Sequence, residues 1–250
     1  MDMRQFSLPA GVGLTHMKVY TEPGPDGIPS SSPHTHAVCS EIYFVVAGEG
    51  AVELLGAEGY QRIALQPNKV VFFRPGVVHR LENPNKNLEI LVIMQNGGLP
   101  ERGDFILTLP PDVLQDEDAY HRCSRVTDLT TALARRDLAV QGFLPIRDAM
   151  RDDPARGREL LHQFYRDARN VLTSKVDGFE WVMKSGAQAE LKSNLDAIDF
   201  LRLGRTEYLQ RGAHWTELDA MQKPERLGMC GHLHPYALDE QFLAEGRKVA

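Results

Sequence analysis

The segment Pro33–Gly50 reads PHTHAVCSEIYFVVAGEG. Its two histidines, His34 and His36, stand one residue apart. On an extended backbone, residues i and i+2 point to the same side, so two imidazoles can aim at one point. Glu41 opens the apolar run EIYFVVAG and can offer a carboxylate from the adjacent wall. A third imidazole is available in RPGVVHRLEN, where His79 follows a Pro75-Gly76 turn that can carry it to the same centre. Three neutral imidazoles and one carboxylate suit a borderline divalent metal: Fe, Mn, Ni, Co, Cu or Zn.

The surroundings of this segment read as β structure. THMKVYT, EIYFVVAG, GAVELLG, YQRIAL, KVVFFRPG, VVHRLEN and LEILVIMQ are short, rich in Val, Ile, Phe and Tyr, and bounded by Gly, Pro or Asn. Such spacing predicts a sandwich or barrel over residues 1–110. Val52 and Leu54 alternate with Glu53, and Ile63 and Leu65 with Arg62, as half-buried strands require. The Pro/Gly/Ser-rich segment TEPGPDGIPSSSP, residues 21–33, is a loop that leads directly into His34.

These residues resemble the two motifs of the cupins. The first, G(X)5HXH(X)3,4E(X)6G, is matched by His34, His36, Glu41 and Gly48, with Gly27 one residue further upstream than the pattern asks. The second, G(X)5PXG(X)2H(X)3N, is matched by Gly76, His79 and Asn83. Asn68 stands at its first Gly and Arg74 at its Pro. The resemblance implies a small jelly-roll β-barrel over roughly residues 10–105, with His34, His36, Glu41 and His79 as metal ligands near the middle of its cavity. It also implies a small-molecule ligand and a homodimer formed by strand exchange or sheet stacking.

Other candidates are weaker. Tyr43 shares a strand face with Glu41 and either lines the cavity or packs as an ordinary sandwich tyrosine. Arg74, Arg62 and Gln61 are candidates for contacting an anionic substrate, with a surface role as the plainer reading. Cys39 lies between ligands and reads as a small apolar filler or a reactive thiol. No residue stands out as a separate catalytic acid or base.

Residues 111–250 read as a helical region. Asp+Glu outnumber Lys+Arg by 15 to 8 up to Asp118 but stand at 19 to 20 beyond it. A helix is expected from about Leu129 to Met150, broken near Pro145. Asp153-Pro154 is a suitable N-cap and first helical residue. From Leu160 to Val182 the apolar residues make one stripe at i, i+3/i+4 spacing. A further helix is expected over 187–203, with Gly204 as its stop. Trp181 and His214-Trp215 read as packing. Near the end, His232, His234, Asp239 and Gly246 repeat the spacing of the first motif. YALDEQFLAEGRK reads as a short helix there, so the echo is taken as a polar tail and not as a metal site.

Bulk properties limit the function. The 250 residues carry a net charge of -6, which disfavours a nucleic-acid surface. Three cysteines make no disulfide framework and fit a reducing compartment. The amino terminus lacks the apolar core of a signal peptide, and no apolar run approaches the ~20 residues that span a bilayer. A cytoplasmic protein with no membrane partner is expected. Two functions fit: a metal-dependent enzyme acting on a small organic molecule, of dioxygenase or isomerase type, or a non-catalytic module that binds or senses a sugar-like ligand and uses its helices for interaction.

Overall fold

A computed structural model describes residues 8–212 and 226–236. Strands β1 (Gly13–Val19), β2 (His34–Thr35), β3 (Glu41–Ala47), β4 (Gly50–Gly56), β5 (Gly59–Leu65), β6 (Val70–Phe73), β7 (Val78–Glu82), β8 (Glu89–Met94) and β9 (Ile106–Leu107) come first. Helices α1 (Pro111–Leu114), α2 (Glu117–Ser124), α3 (Leu129–Asp152), α4 (Pro154–Leu172), α5 (Val176–Met183), α6 (Ala189–Arg202) and α7 (Glu207–Gly212) follow. Two strands, β10 (Arg226–Leu227) and β11 (Gly231–Tyr236), come last.

The strands form two antiparallel sheets. One has the order β10-β11-β1-β8-β3-β6 and the other β5-β4-β7-β2-β9. Alternation decides what each strand buries. Tyr43, Val45, Ile90 and Met17 from the first sheet meet Val52, Leu65 and Leu81 from the second in a shared core. The opposite face of the second sheet turns Leu55 and Val78 toward the helices. There they pack with Phe143, Ile146, Leu161, Phe164 and Val171 of α3 and α4 in a second core. Helices α3 and α4 therefore cover the back of the five-stranded sheet, and the helical region is not a detached bundle.

Most helical expectations hold, with three differences. Helix α3 runs unbroken through Pro145. Pro145 removes a hydrogen bond to the Gln141 carbonyl, but both residues are exposed, so water can satisfy that oxygen. The stripe from Leu160 to Val182 is divided, because a 3-10 turn at Thr173–Lys175 separates α4 from α5. The third difference is at the end of the chain. Residues 231–236 are not a polar tail: β11 pairs over its whole length with Leu14–Val19 of β1, placing His234 opposite His16 and His232 opposite Lys18. Asp239, Gly246, His214 and Trp215 lie outside the described residues. The expected stop at Gly204 is present, with a left-handed φ of 68°, and Asp153 caps α4 by accepting from Ala155 and Arg156 N–H.

Candidate metal centre

The sheet register brings the four residues together. His34 on β2 is the direct partner of His79 on β7. His36 lies one residue beyond β2, and Glu41 is the first residue of β3. All four are buried, and one ligand atom from each lies within 4.8 Å of the others.

The imidazole tautomers follow from their partners. Nδ1 of His34 donates to the Ser32 carbonyl at 2.8 Å, Nδ1 of His36 to the Asp104 carbonyl at 2.6 Å, and Nδ1 of His79 to the Val77 carbonyl at 3.1 Å. A carbonyl oxygen only accepts, so each Nδ1 carries a proton, and in the neutral ring each Nε2 then presents a lone pair. The three Nε2 atoms converge. His34 and His79 Nε2 are 3.1 Å apart, and Glu41 Oε2 is 3.2 Å from His79 Nε2 and 3.4 Å from His36 Nε2. Glu41 Oε2 has no hydrogen-bond donor among the described residues.

A divalent cation fits this arrangement. Two ligand atoms at right angles around a metal with bonds of ~2.1 Å stand about 3 Å apart, close to the separations seen here. Facing lone pairs and a buried carboxylate oxygen without a donor are costly unless a cation satisfies them. The backbone carbonyls behind each ring supply the orienting contacts that metal-binding histidines use.

Burial lowers the His34 pKa well below the usual histidine value, with the neighbouring imidazoles adding to it, and it lowers His79 to about 4. Burial opposes protonation of His36 too, but Glu41 and Asp104 outweigh it and raise that pKa. At Glu41, burial is outweighed by the His36 contact and the imidazole charges, and the carboxyl lies below its ordinary value.

The remaining candidates separate clearly. Tyr43 is fully buried in the inner core, with its ring 6.1 Å from that of His79 and 5.2 Å from that of Phe73. Its hydroxyl lies 3.9 Å from Cys230 Sγ. Arg74 and Gln61 are exposed. Arg62 shares a register row with Glu53 and Arg80, on the face away from His79, and its guanidinium bonds the Glu82 carboxylate at 2.5 and 2.9 Å. Cys39 is buried and its thiol is pushed up to about 12 by burial, which leaves it a filler and not a nucleophile.

Two supporting residues have no signature in the motifs. Asp104, on the loop before β9, accepts hydrogen bonds from Ala37, Val38 and Cys39 N–H at 2.8–2.9 Å, while its own carbonyl holds His36. Tyr165 on α4 donates to the Gly76 carbonyl at 2.6 Å, and Gly76 N–H donates to the His36 carbonyl at 2.9 Å. The signal for either is spatial. Asp104 stands in an ordinary RGDF loop, and Tyr165 reads as one more apolar-face residue of a helix.

Comparison with known proteins agrees with the strand region. Residues 19–94 match the Cupin domain family. No curated protein sequence matches the chain. Among solved structures, the chain is similar to the TDP-fucose-3,4-ketoisomerase WlaRA of Campylobacter jejuni, with 13% identity and a TM-score of 0.32 over 37% of this chain and 64% of that one. It is also similar to the DMSP lyase DddQ of Ruegeria pomeroyi, with 26% identity and a TM-score of 0.29 over 39% of this chain and 42% of that one. A third is a Cupin 2 conserved barrel domain protein of Salinispora arenicola, with 23% identity and a TM-score of 0.29 over 38% of this chain and 71% of that one. The chain thus spans less than two thirds of the ketoisomerase and of the lyase. The family match encloses all four clustered side chains, and it carries the assignment that the superpositions do not. Residues 19–94 of this chain form a cupin-type domain.

Proposed function

We propose that the chain is a metal-dependent enzyme acting on a small organic molecule through a centre held by His34, His36, Glu41 and His79. The observation that supports it most directly is the convergence of three imidazole Nε2 atoms and one carboxylate oxygen in a buried site. Iron, manganese, nickel and zinc all suit this donor set. When bound, such a metal supplies Lewis acidity and an open position for an oxygen-bearing substrate.

The chain's own residues orient and shield. The carbonyls of Ser32, Asp104 and Val77 fix the three rings. Phe73 lies against His79 with ring centres 4.3 Å apart and keeps water from that side. Burial raises the Tyr43 hydroxyl well above its ordinary pKa and pushes the Cys230 thiol up to about 12, so both keep their protons at neutral pH. Neither therefore serves as a base. This reading takes residues 1–110 as the barrel domain and 111–250 as a supporting region whose β10–β11 pair returns to the barrel. It places the protein in the cytoplasm, a compartment that suits its three free cysteines. Among the described residues, no helix is long and apolar enough to cross a membrane.

The lack of a ready base on the Tyr43–Cys230 wall favours, as a second reading, a module that binds a sugar-like ligand without converting it. Elemental analysis of untagged protein, then turnover and oxygen-uptake assays, tests both. Near-stoichiometric transition metal, with turnover lost in a folded His36→Ala variant, supports the enzyme. Binding without conversion supports the second reading. Absence of metal after reconstitution overturns both.

A further inference from the structure

Helix α6 is built the wrong way round for a helix that serves only its own chain. None of its 14 residues is buried. At about 3.6 residues per turn, Ala189, Ser193, Ala197 and Phe200 fall on one face and Leu191, Leu195 and Ile198 on the opposite one. The first face, mostly small residues, is half-covered. The second, with the larger aliphatic side chains, is open to solvent: Leu191 is 58%, Leu195 53% and Ile198 44% exposed. Leu201 flanks the same stripe and is also exposed. A contiguous aliphatic stripe of this kind marks an interaction surface.

The charges around the stripe say what fits it. Lys192 and Asp199 flank one edge, while Glu190 lies near the first turn and Arg202 at the last. When two copies of α6 pack antiparallel about a two-fold axis near its middle, same-edge positions face each other. Lys192 then meets Asp199 of the other copy, and the two-fold repeats that pair at the other end. The opposite charges coincide at both ends, and the leucines close on one another between them. Within one chain, Lys192 and Arg202 pair only along the helix surface, with Asp196 and Asp199, where both partners are more than half exposed and the pairs contribute little.

We propose that α6 is a self-association surface, and that its partner is α6 of a second copy packed antiparallel. This surface lies on the helical region, away from the sheets. The contact spans one helix of four turns, so the dimer is expected to be weak, dissociating in the micromolar range.

Sedimentation equilibrium of the full chain across a concentration series tests it. The expected result is a monomer–dimer equilibrium that Leu195→Glu or Ile198→Glu weakens by at least about tenfold. Because these side chains are exposed, thermal unfolding should be unchanged. Lys192→Glu and Asp199→Lys should each weaken the dimer, and the double exchange should restore it, since only a self-paired helix regains both contacts. A protein that stays monomeric overturns the proposal. So does a dimer indifferent to the leucine and charge variants, which would place the interface elsewhere. Labelling of an Ile198→Cys variant that is blocked in the monomer also overturns it, because the chain itself would then occupy the stripe.

Discussion

The Nε2 atoms of His34 and His79 face each other at 3.1 Å, and both rings donate from Nδ1–H to the carbonyls behind them. Two lone pairs in that position repel unless a cation or proton lies between them. Metal binding should therefore stabilise the fold as well as serve chemistry. Free metal at a hundredfold excess over its dissociation constant adds about 2.7 kcal/mol. In a chain of this length that raises the melting temperature by roughly 5–10 °C. Differential scanning calorimetry with and without a chelator checks this, and readdition of metal should restore the transition. His79→Ala should melt at the same temperature in both conditions.

Asp104 should matter almost as much as a ligand. Its carboxylate takes three successive N–H groups between His36 and Glu41, and it is fully buried. Asp104→Asn turns an amide N–H₂ toward at least one of those donors. A loss of about 2–3 kcal/mol is expected in urea unfolding. Metal affinity should fall by roughly 10–100-fold, because the same loop orients His36. Unchanged affinity in a folded variant would show that the ligands are held without it.

The clustering of the four candidate residues was legible because it is mostly local. His34, His36 and Glu41 sit within one short segment, and His79 is announced by its own turn. One departure from the motifs also has a structural explanation. Asn68 replaces an expected glycine and adopts a left-handed φ of 68°, a conformation that asparagine tolerates better than most residues. Asp104, Tyr165 and β11 were not legible, because each acts through a contact distant in sequence. β11 is disguised further, since Pro235 and two histidines depress its strand propensity. Its pairing with β1 overrides that propensity.

The motif glycines should differ sharply in cost. Gly48 and Gly76 both have left-handed φ, at 75° and 91°. A Cβ on Gly48 would lie 1.9 Å from the Asn87 carbonyl oxygen, whereas a Cβ on Gly76 meets nothing within 4 Å. Gly76→Ala should cost only the conformational penalty of about 1–2 kcal/mol. Gly48→Ala carries the same penalty plus a clash with backbone, and it should destabilise the fold by clearly more in the same denaturation assay. Equal costs would mean that the Asn83–Leu88 turn yields to the new methyl group.

Tyr165 links the helices to the centre, so its hydroxyl can be tested apart from its ring. Tyr165→Phe keeps the packing against Phe164 and removes the bond to the Gly76 carbonyl. A stability loss of about 1 kcal/mol is expected. Weaker metal binding should accompany it, because Gly76 N–H supports His36 from the other side. Isothermal titration with metal reads the second effect directly. A stability loss with unaltered metal affinity would confine Tyr165 to fastening the helix.

The buried guanidinium of Arg80 should make stability depend on acid in a defined direction. Arg80 bonds Asp26 through both terminal nitrogens, at 2.7 and 2.9 Å, and also meets Glu53 at 3.3 Å. Burial would raise the Asp26 pKa, but the Arg80 bonds outweigh it and hold the carboxyl below its ordinary value of 3.8. A carboxyl with a lowered folded-state pKa stabilises the fold above its unfolded value. It loses that contribution as pH falls through the folded one. Asp26→Asn should therefore cost about 1–3 kcal/mol at neutral pH, and the gap to the parent should close below pH 3.8. Glu53 runs the other way: burial and Glu82 raise its pKa, so Arg80 loses that partner earlier on acidification, in parent and variant alike. Urea unfolding of both proteins from neutral to acid pH separates the contributions. A gap that stays constant with pH would assign the effect to hydrogen-bond geometry and not to the charge on Asp26.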